Sequence, residues 1–269
     1  MSAISVLPSN DVKLPTHKDL PCEDGSIATN FLEAPQHTIL SESLFPVFEA
    51  IHPDKDFAVG NDCGIYWRNT NPPLSGAVAP DWFYVPNVPP MLDGEVRRSY
   101  VLWQEHVPPL LVVEFVSGNG SEEHDVTPGR GKFWIYEREI RVANYVIWDG
   151  FRSTVELYRL VRNRYVQSKP NSAGRFEIPE LGIEFGLKQE TLLGSSADYL
   201  RAWDSTSGKL LLHAIEREAE LEEENRKSKR LARQEKQRAE QEKQRAEQEK
   251  QRADRLAEQL RALGVKPVD

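Results

Sequence analysis

"PPLLVVEFVSGNG", residues 108–120, sets a single carboxylate, Glu114, inside an apolar run bounded by prolines and glycines. Read as a strand, the run alternates its side chains, so Val112, Glu114 and Val116 share one face while Leu111, Val113 and Phe115 share the other. Glu114 then stands among apolar neighbours. An ionised carboxylate taken out of water without a partner costs on the order of several kcal/mol. The residue must therefore lie at an exposed edge, pair with a cationic side chain, or bind a metal ion.

Around this strand the pattern predicts a mixed α/β domain spanning residues 29–212. From about Pro35, Ile39, Leu40, Leu44, Val47, Phe48 and Ile51 recur at helical spacing until "HPD" closes the segment. Strands are expected at 57–68, 79–86 and 109–117, and again at 143–150, 154–161, 164–168 and 174–187, with "LVRNRYV" as a hairpin. The prolines and charges of 87–108 suggest a long surface loop. "GKFWIYEREI" (131–140) places Phe133, Trp134, Tyr136 and Ile140 on one helical face, and the aromatic series Trp134, Tyr136, Tyr145 and Trp148 is expected in the core. Helix, strands, helix, strands is the order of a central sheet flanked by helices. Residues 1–28, rich in Pro, Ser, Asp and Lys, are expected to be a loosely ordered lead-in.

After residue 212 the composition changes abruptly. Residues 213–264 are a charged heptad segment in which "QEKQRAE" occurs at 234–240 and 241–247 and returns as "QEKQRAD" at 248–254, leaving 265–269 as the end. Ala239, Ala246, Ala253 and Leu260 fall seven apart, with Leu256 and Leu263 nearby, which allows a thin coiled-coil seam. Lys236 with Glu240, Lys243 with Glu247, Glu242 with Arg245 and Glu249 with Arg252 equally support a solvated single helix. Both readings stand at this level.

A formal net charge of −8 argues against a protein that coats nucleic acid or anionic membrane through bulk charge. Cys22 and Cys63 are too few for a disulfide framework or a clustered zinc site, and are expected as free thiols in a reducing cytoplasm. No apolar run is long enough to span a bilayer.

Chemistry concentrates near Glu114. Asp81 follows Pro80 at the start of "DWFYV", so a second carboxylate is expected on an adjacent strand. Two such groups repel unless a cation lies between them, and their oxygens suit magnesium or manganese. Lys132, opening the next helix, is the candidate cation, with a helix start that favours a phosphate. His124 and Asp125 lie in the intervening loop. Arg97, Arg98, Arg130 and Arg138 are candidates for phosphate contact. Against this stands the plainer reading that Glu114 pairs with a nearby lysine or arginine and that the remaining charges are surface.

Taken together, "APDWFYVP", "LLVVEFVSGNGSEEHD", "GKFWIYE" and "ANYVIWDG…VELYRL" resemble the Uma-two family of restriction endonucleases, especially members with charged C-terminal heptads. The resemblance implies a restriction-endonuclease-like fold of the PD-(D/E)XK nuclease superfamily and hydrolysis of DNA with Mg2+ or Mn2+. It implies Asp81, Glu114 and Lys132 as catalytic residues, with Asp81, Glu114 and the Phe115 carbonyl on the metal. A homodimer formed through the nuclease domain or the C-terminal helix is expected. The usual lysine two residues after the acid is here Val116, so the ammonium is expected from Lys132 instead. An inactive nuclease-like binding or assembly module is the alternative.

Overall fold

The computed structural model describes residues 14–21 and 30–262. Most of the expected N-terminal lead-in, Cys22, Leu263 and residues 265–269 lie outside these. The chain divides into a unit Met1–His213 and a unit Ala214–Asp269.

In chain order the first unit contains α1 (Glu33–Ile51), β1 (Phe57–Asn61), β2 (Ile65–Tyr66), β3 (Ala77–Val78), β4 (Trp82–Pro86), β5 (Tyr100–Val101), α2 (Leu102–Glu105) and β6 (Leu111–Phe115). There follow α3 (Lys132–Trp134), which runs on as π-helical turns over Ile135–Ile140, then β7 (Asn144–Asp149), β8 (Thr154–Val161) and β9 (Arg164–Gln167). β10 (Phe176–Ile178), β11 (Ile183–Leu192) and β12 (Ser195–Asp204) close the unit. The main sheet has the order β1-β4-β6-β7-β8-β9, in which only β6 and β7 run parallel. This is the expected mixed sheet flanked by helices.

β6 sits in the middle of that sheet and is buried throughout. Its alternation decides the architecture, because its two faces enter two different cores. Leu111, Val113 and Phe115 pack with Leu40, Leu44 and Phe48 of α1 and with Phe185, Tyr199 and Leu200 of the second sheet, β10-β11-β12. Val112 and Val116 pack with Phe83, Val85, Ile135, Tyr136 and Tyr145. Each fully buried side chain of this size contributes roughly 1.5–3 kcal/mol. Gln36 ties α1 to β12 by donating Nε2 to the Leu200 carbonyl (2.9 Å) and accepting the Leu200 N–H at Oε1 (2.9 Å).

The hairpin over "LVRNRYV" forms as expected: Val161 pairs with Arg164, and Arg162 and Asn163 both adopt positive φ, the twist a two-residue turn requires. Three expectations need correcting, the first being that the strand expected at 174–187 is two, β10 and β11, because the chain turns back over 179–182. The single strand expected at 57–68 is two, because Asp62 turns at φ 47° and sends β2 into a separate small sheet, β3-β2-β5. The segment 87–108 is not a plain surface loop: Val88, Ser99, Tyr100 and Val101 are buried, and β5 pairs parallel with β2.

The second unit is α4 (Ala214–Ala262), a helix without a buried residue among those described. Cys63 donates its thiol to the Arg98 carbonyl (3.7 Å). Among the described residues no helix is long and apolar enough to cross a membrane.

Candidate active site

The antiparallel register of β4 and β6 pairs Trp82 with Val113, and one step further it sets Asp81 opposite Glu114. Cross-strand neighbours share a face, so extending the register by one residue brings the Asp81 carboxylate to the Glu114 side of the sheet. Asp81 is held at this strand start by accepting the Phe115 N–H at Oδ2 (2.5 Å). Glu114 is fully buried. Its Oε2 accepts from Lys132 Nζ (3.0 Å) and its Oε1 from the Tyr136 hydroxyl (2.5 Å). Lys132 also reaches Glu122 Oε1 at 3.2 Å. The structure thus collects Asp81, Glu114 and Lys132 at one end of the central strands.

Local sequence explains how a lysine eighteen residues away reaches Glu114. Asp125 starts the turn by accepting the Thr127 N–H (2.8 Å), and the Gly131 N–H returns to the Thr127 carbonyl (2.8 Å). A Cβ on Gly131 would lie 2.1 Å from the Asp125 carbonyl oxygen, so only glycine fits at the residue that launches α3. Lys132 and Tyr136 are four apart on this helical stretch and therefore project toward the same carboxylate. The π-helical turns start directly after Trp134, next to the site.

The electrostatics are those of a crowded acid pair served by one ammonium group. Burial, and then Glu114, push the Asp81 carboxyl up to about 9, against the opposing pull of the Phe115 N–H and Lys132. Burial works against the charge on Lys132, but Glu114, Glu122 and Asp81 together outweigh it and hold the ammonium above its usual range. Burial, with Glu114 close by, keeps the Tyr136 hydroxyl protonated and therefore a donor. Cross-strand carboxylate oxygens are the donor set of a hard divalent cation, and an acid forced to keep its proton is what such a pair shows with no cation between its members. The residues present fit magnesium or manganese.

Other candidates fall elsewhere. Asp125 serves the turn, and His124 lies between the Gly120 carbonyl (2.6 Å) and Glu156 (3.1 Å). Arg97 is not turned outward to a phosphate: Glu105 grips it bidentately, both side chains are largely buried, and it also donates to the Pro89 and Pro90 carbonyls. Arg138 pairs with Glu137 (2.7 Å), and Arg98 donates to the Lys18 carbonyl (3.3 Å). Arg130 remains exposed. Tyr136 and Glu122 complete the cluster without having been singled out as site residues. Tyr136 is buried with the core aromatics as expected, yet its spacing of four from Lys132 was the available signal for its second role.

The family described as "Putative restriction endonuclease", Uma2, matches residues 24–193. Among solved structures, a protein described as a "putative nuclease belonging to DUF820" from Anabaena variabilis is 13% identical, with a TM-score of 0.38 over 62% of this chain and 90% of that one. A comparison with curated proteins found no match. The match to Uma2 takes in most of the first unit, including Asp81, Glu114 and Lys132, and the chain belongs to that family.

Proposed function

We propose that the first unit is a metal-dependent endonuclease that hydrolyses phosphodiester bonds in DNA. One observation carries this reading: Asp81, bonded to the Phe115 N–H (2.5 Å), lies beside the buried Glu114, with Lys132 Nζ 3.0 Å from the Glu114 carboxylate. Asp81, Glu114 and the Phe115 carbonyl would hold Mg2+ or Mn2+, which supplies charge neutralisation at the phosphate and a more acidic bound water. Tyr136 fixes the Glu114 carboxylate by its hydrogen bond. Lys132 presents an ammonium group that remains charged throughout the physiological range and stabilises negative charge developing on the attacked phosphate. Asp81, kept at the strand start by the Phe115 N–H, is the group that must give up its proton when a cation arrives. Membership of the nuclease family supports DNA as substrate and a cytoplasmic site of action. Of the two routes to a homodimer, the first unit is the better candidate, because α4 offers no continuous apolar seam.

A second reading is favoured by one specific feature: both Glu114 oxygens already have protein partners, so the cluster also satisfies itself as a buried ion pair. The two readings separate in one experiment. Plasmid and single-stranded DNA are incubated with wild type, Asp81→Asn and Lys132→Met in magnesium, manganese and EDTA, with circular dichroism to confirm folding. Cleavage by wild type in metal alone, lost in both folded variants, supports the nuclease. Folded wild type that takes up no metal and cuts nothing supports the assembly module.

A further inference from the structure

The charges of α4 are not evenly distributed. From Lys236 to Arg261 each lysine and arginine has an acidic residue three or four positions away, and so do Arg217, Arg226 and Lys227. Arg226 pairs with Glu222 and Lys227 with Glu223, each at 2.7 Å. Lys229, Arg230 and Arg233 differ from every other cation of the helix. Their neighbours at three and four positions are Asn225, Arg226, Lys227, Ala232, Gln234, Lys236, Gln237 and one another, without a single acid. Like charges at this spacing destabilise a helix, so a sequence that otherwise balances itself residue by residue carries here an uncompensated cationic stripe. Arg226, Lys229, Arg230 and Arg233 stand at positions i, i+3, i+4 and i+7 and so share one exposed face of the helix.

We infer that this stripe binds the phosphate backbone of a nucleic acid. At 1.5 Å per residue, Arg226 to Arg233 spans about 10 Å, over which one duplex strand presents about three phosphates at 3.4 Å intervals. Arginine's planar fork suits phosphate oxygens, and contacts of this kind position a nucleic acid without reading its sequence. A membrane surface fits less well, because Leu231 is the only large apolar residue of this stretch and an interfacial helix needs an apolar face. A second copy of α4 could set its acidic block, Glu216–Glu224, against the stripe. That contact would bury little more than Leu221 and Leu231, far less than the roughly 1,200 Å2 of a stable interface. The stripe shares a substrate class with the proposed nuclease but depends on none of its chemistry.

The test uses the full chain in EDTA, so that binding is read without cleavage. Fluorescence anisotropy with a labelled DNA duplex is followed between 50 and 200 mM salt for wild type, for Lys229→Gln/Arg230→Gln/Arg233→Gln, and for Lys236→Gln/Lys243→Gln/Lys250→Gln, which removes the same charge from compensated positions. Loss of three phosphate contacts makes the slope of log affinity against log salt less steep by about 2.7. Wild type then loses roughly 40-fold more affinity than the stripe variant across that range, and the control variant behaves as wild type. Equal effects in the two variants, an unchanged slope in the stripe variant, or no binding by wild type overturns the inference. So does light scattering that finds a wild-type dimer and a monomeric stripe variant, which would assign the stripe to a second copy. Because cleavage is not measured, an inactive nuclease site leaves this result unaffected, and an active one cannot produce it.

Discussion

At the scale of single residues, the site is governed by two acids that share too little positive charge. Asp81 keeps its proton up to about pH 9 in the native chain, whereas in the unfolded chain it loses it near the ordinary value of about 3.9. Between those limits the native state holds more protons at this group, so the Asp81 contribution to metal-free stability falls as pH rises from about 4 to 9. Thermal unfolding in EDTA across this window should show that fall, and Asp81→Asn should flatten it. Magnesium should raise the Tm of wild type more at pH 8 than at pH 6, since the cation must displace the proton. Tyr136→Phe removes a donor from the fully buried Glu114 and should cost about 1–3 kcal/mol in chemical denaturation. A loss well under 0.5 kcal/mol would mean that Lys132 satisfies the carboxylate by itself.

Secondary-structure elements place these residues, and the most vulnerable of them is α3. The position of Lys132 depends on the preceding Gly131, whose missing Cβ admits the Asp125 carbonyl. Gly131→Ala should destabilise the fold by about 1–3 kcal/mol through overpacking and shift Lys132 from Glu114, so that metal-supported activity falls further than stability explains. A variant that folds with wild-type Tm and activity would show that the turn can open without moving α3. How much was legible here varied by element. Glu114, flanked by alternating apolar residues, pointed to the correct face of β6, and "LVRNRYV" was readable as a hairpin because a two-residue turn is a local matter. The break after Asn61 was not readable, since whether Asp62 continues a strand depends on which sheet receives Ile65 and Tyr66. Nor were the roles of Arg97 and Arg138, which look alike in sequence and are decided by Glu105 and Glu137.

Across the whole chain, a heptad-bearing helix follows the mixed α/β unit. The 49 residues of α4 correspond to about 73 Å of helix. Its repeat places Ala239, Ala246 and Ala253 at one core position, but Glu235, Glu242 and Glu249 take the other, which leaves almost nothing apolar to bury. Replacing the three alanines together with Gln should therefore leave both the particle mass by light scattering and the helicity by circular dichroism within error of wild type. A halved mass would restore the coiled-coil reading.

What the sequence determined by itself was periodic or local: the alternating strand around Glu114, the amphipathic α1, the two-residue turn, the charge-balanced heptads and the uncompensated Lys229, Arg230 and Arg233. Each rests on interactions between residues a few positions apart, which composition and spacing record directly. What the tertiary structure decided was the meeting of Asp81, Glu114, Lys132 and Tyr136. That meeting depends on the register of β4 against β6 and on the angle at which Gly131 launches α3. Both are settled by packing between segments distant in the chain, where the free energy of burial selects one pairing among many that the local pattern allows.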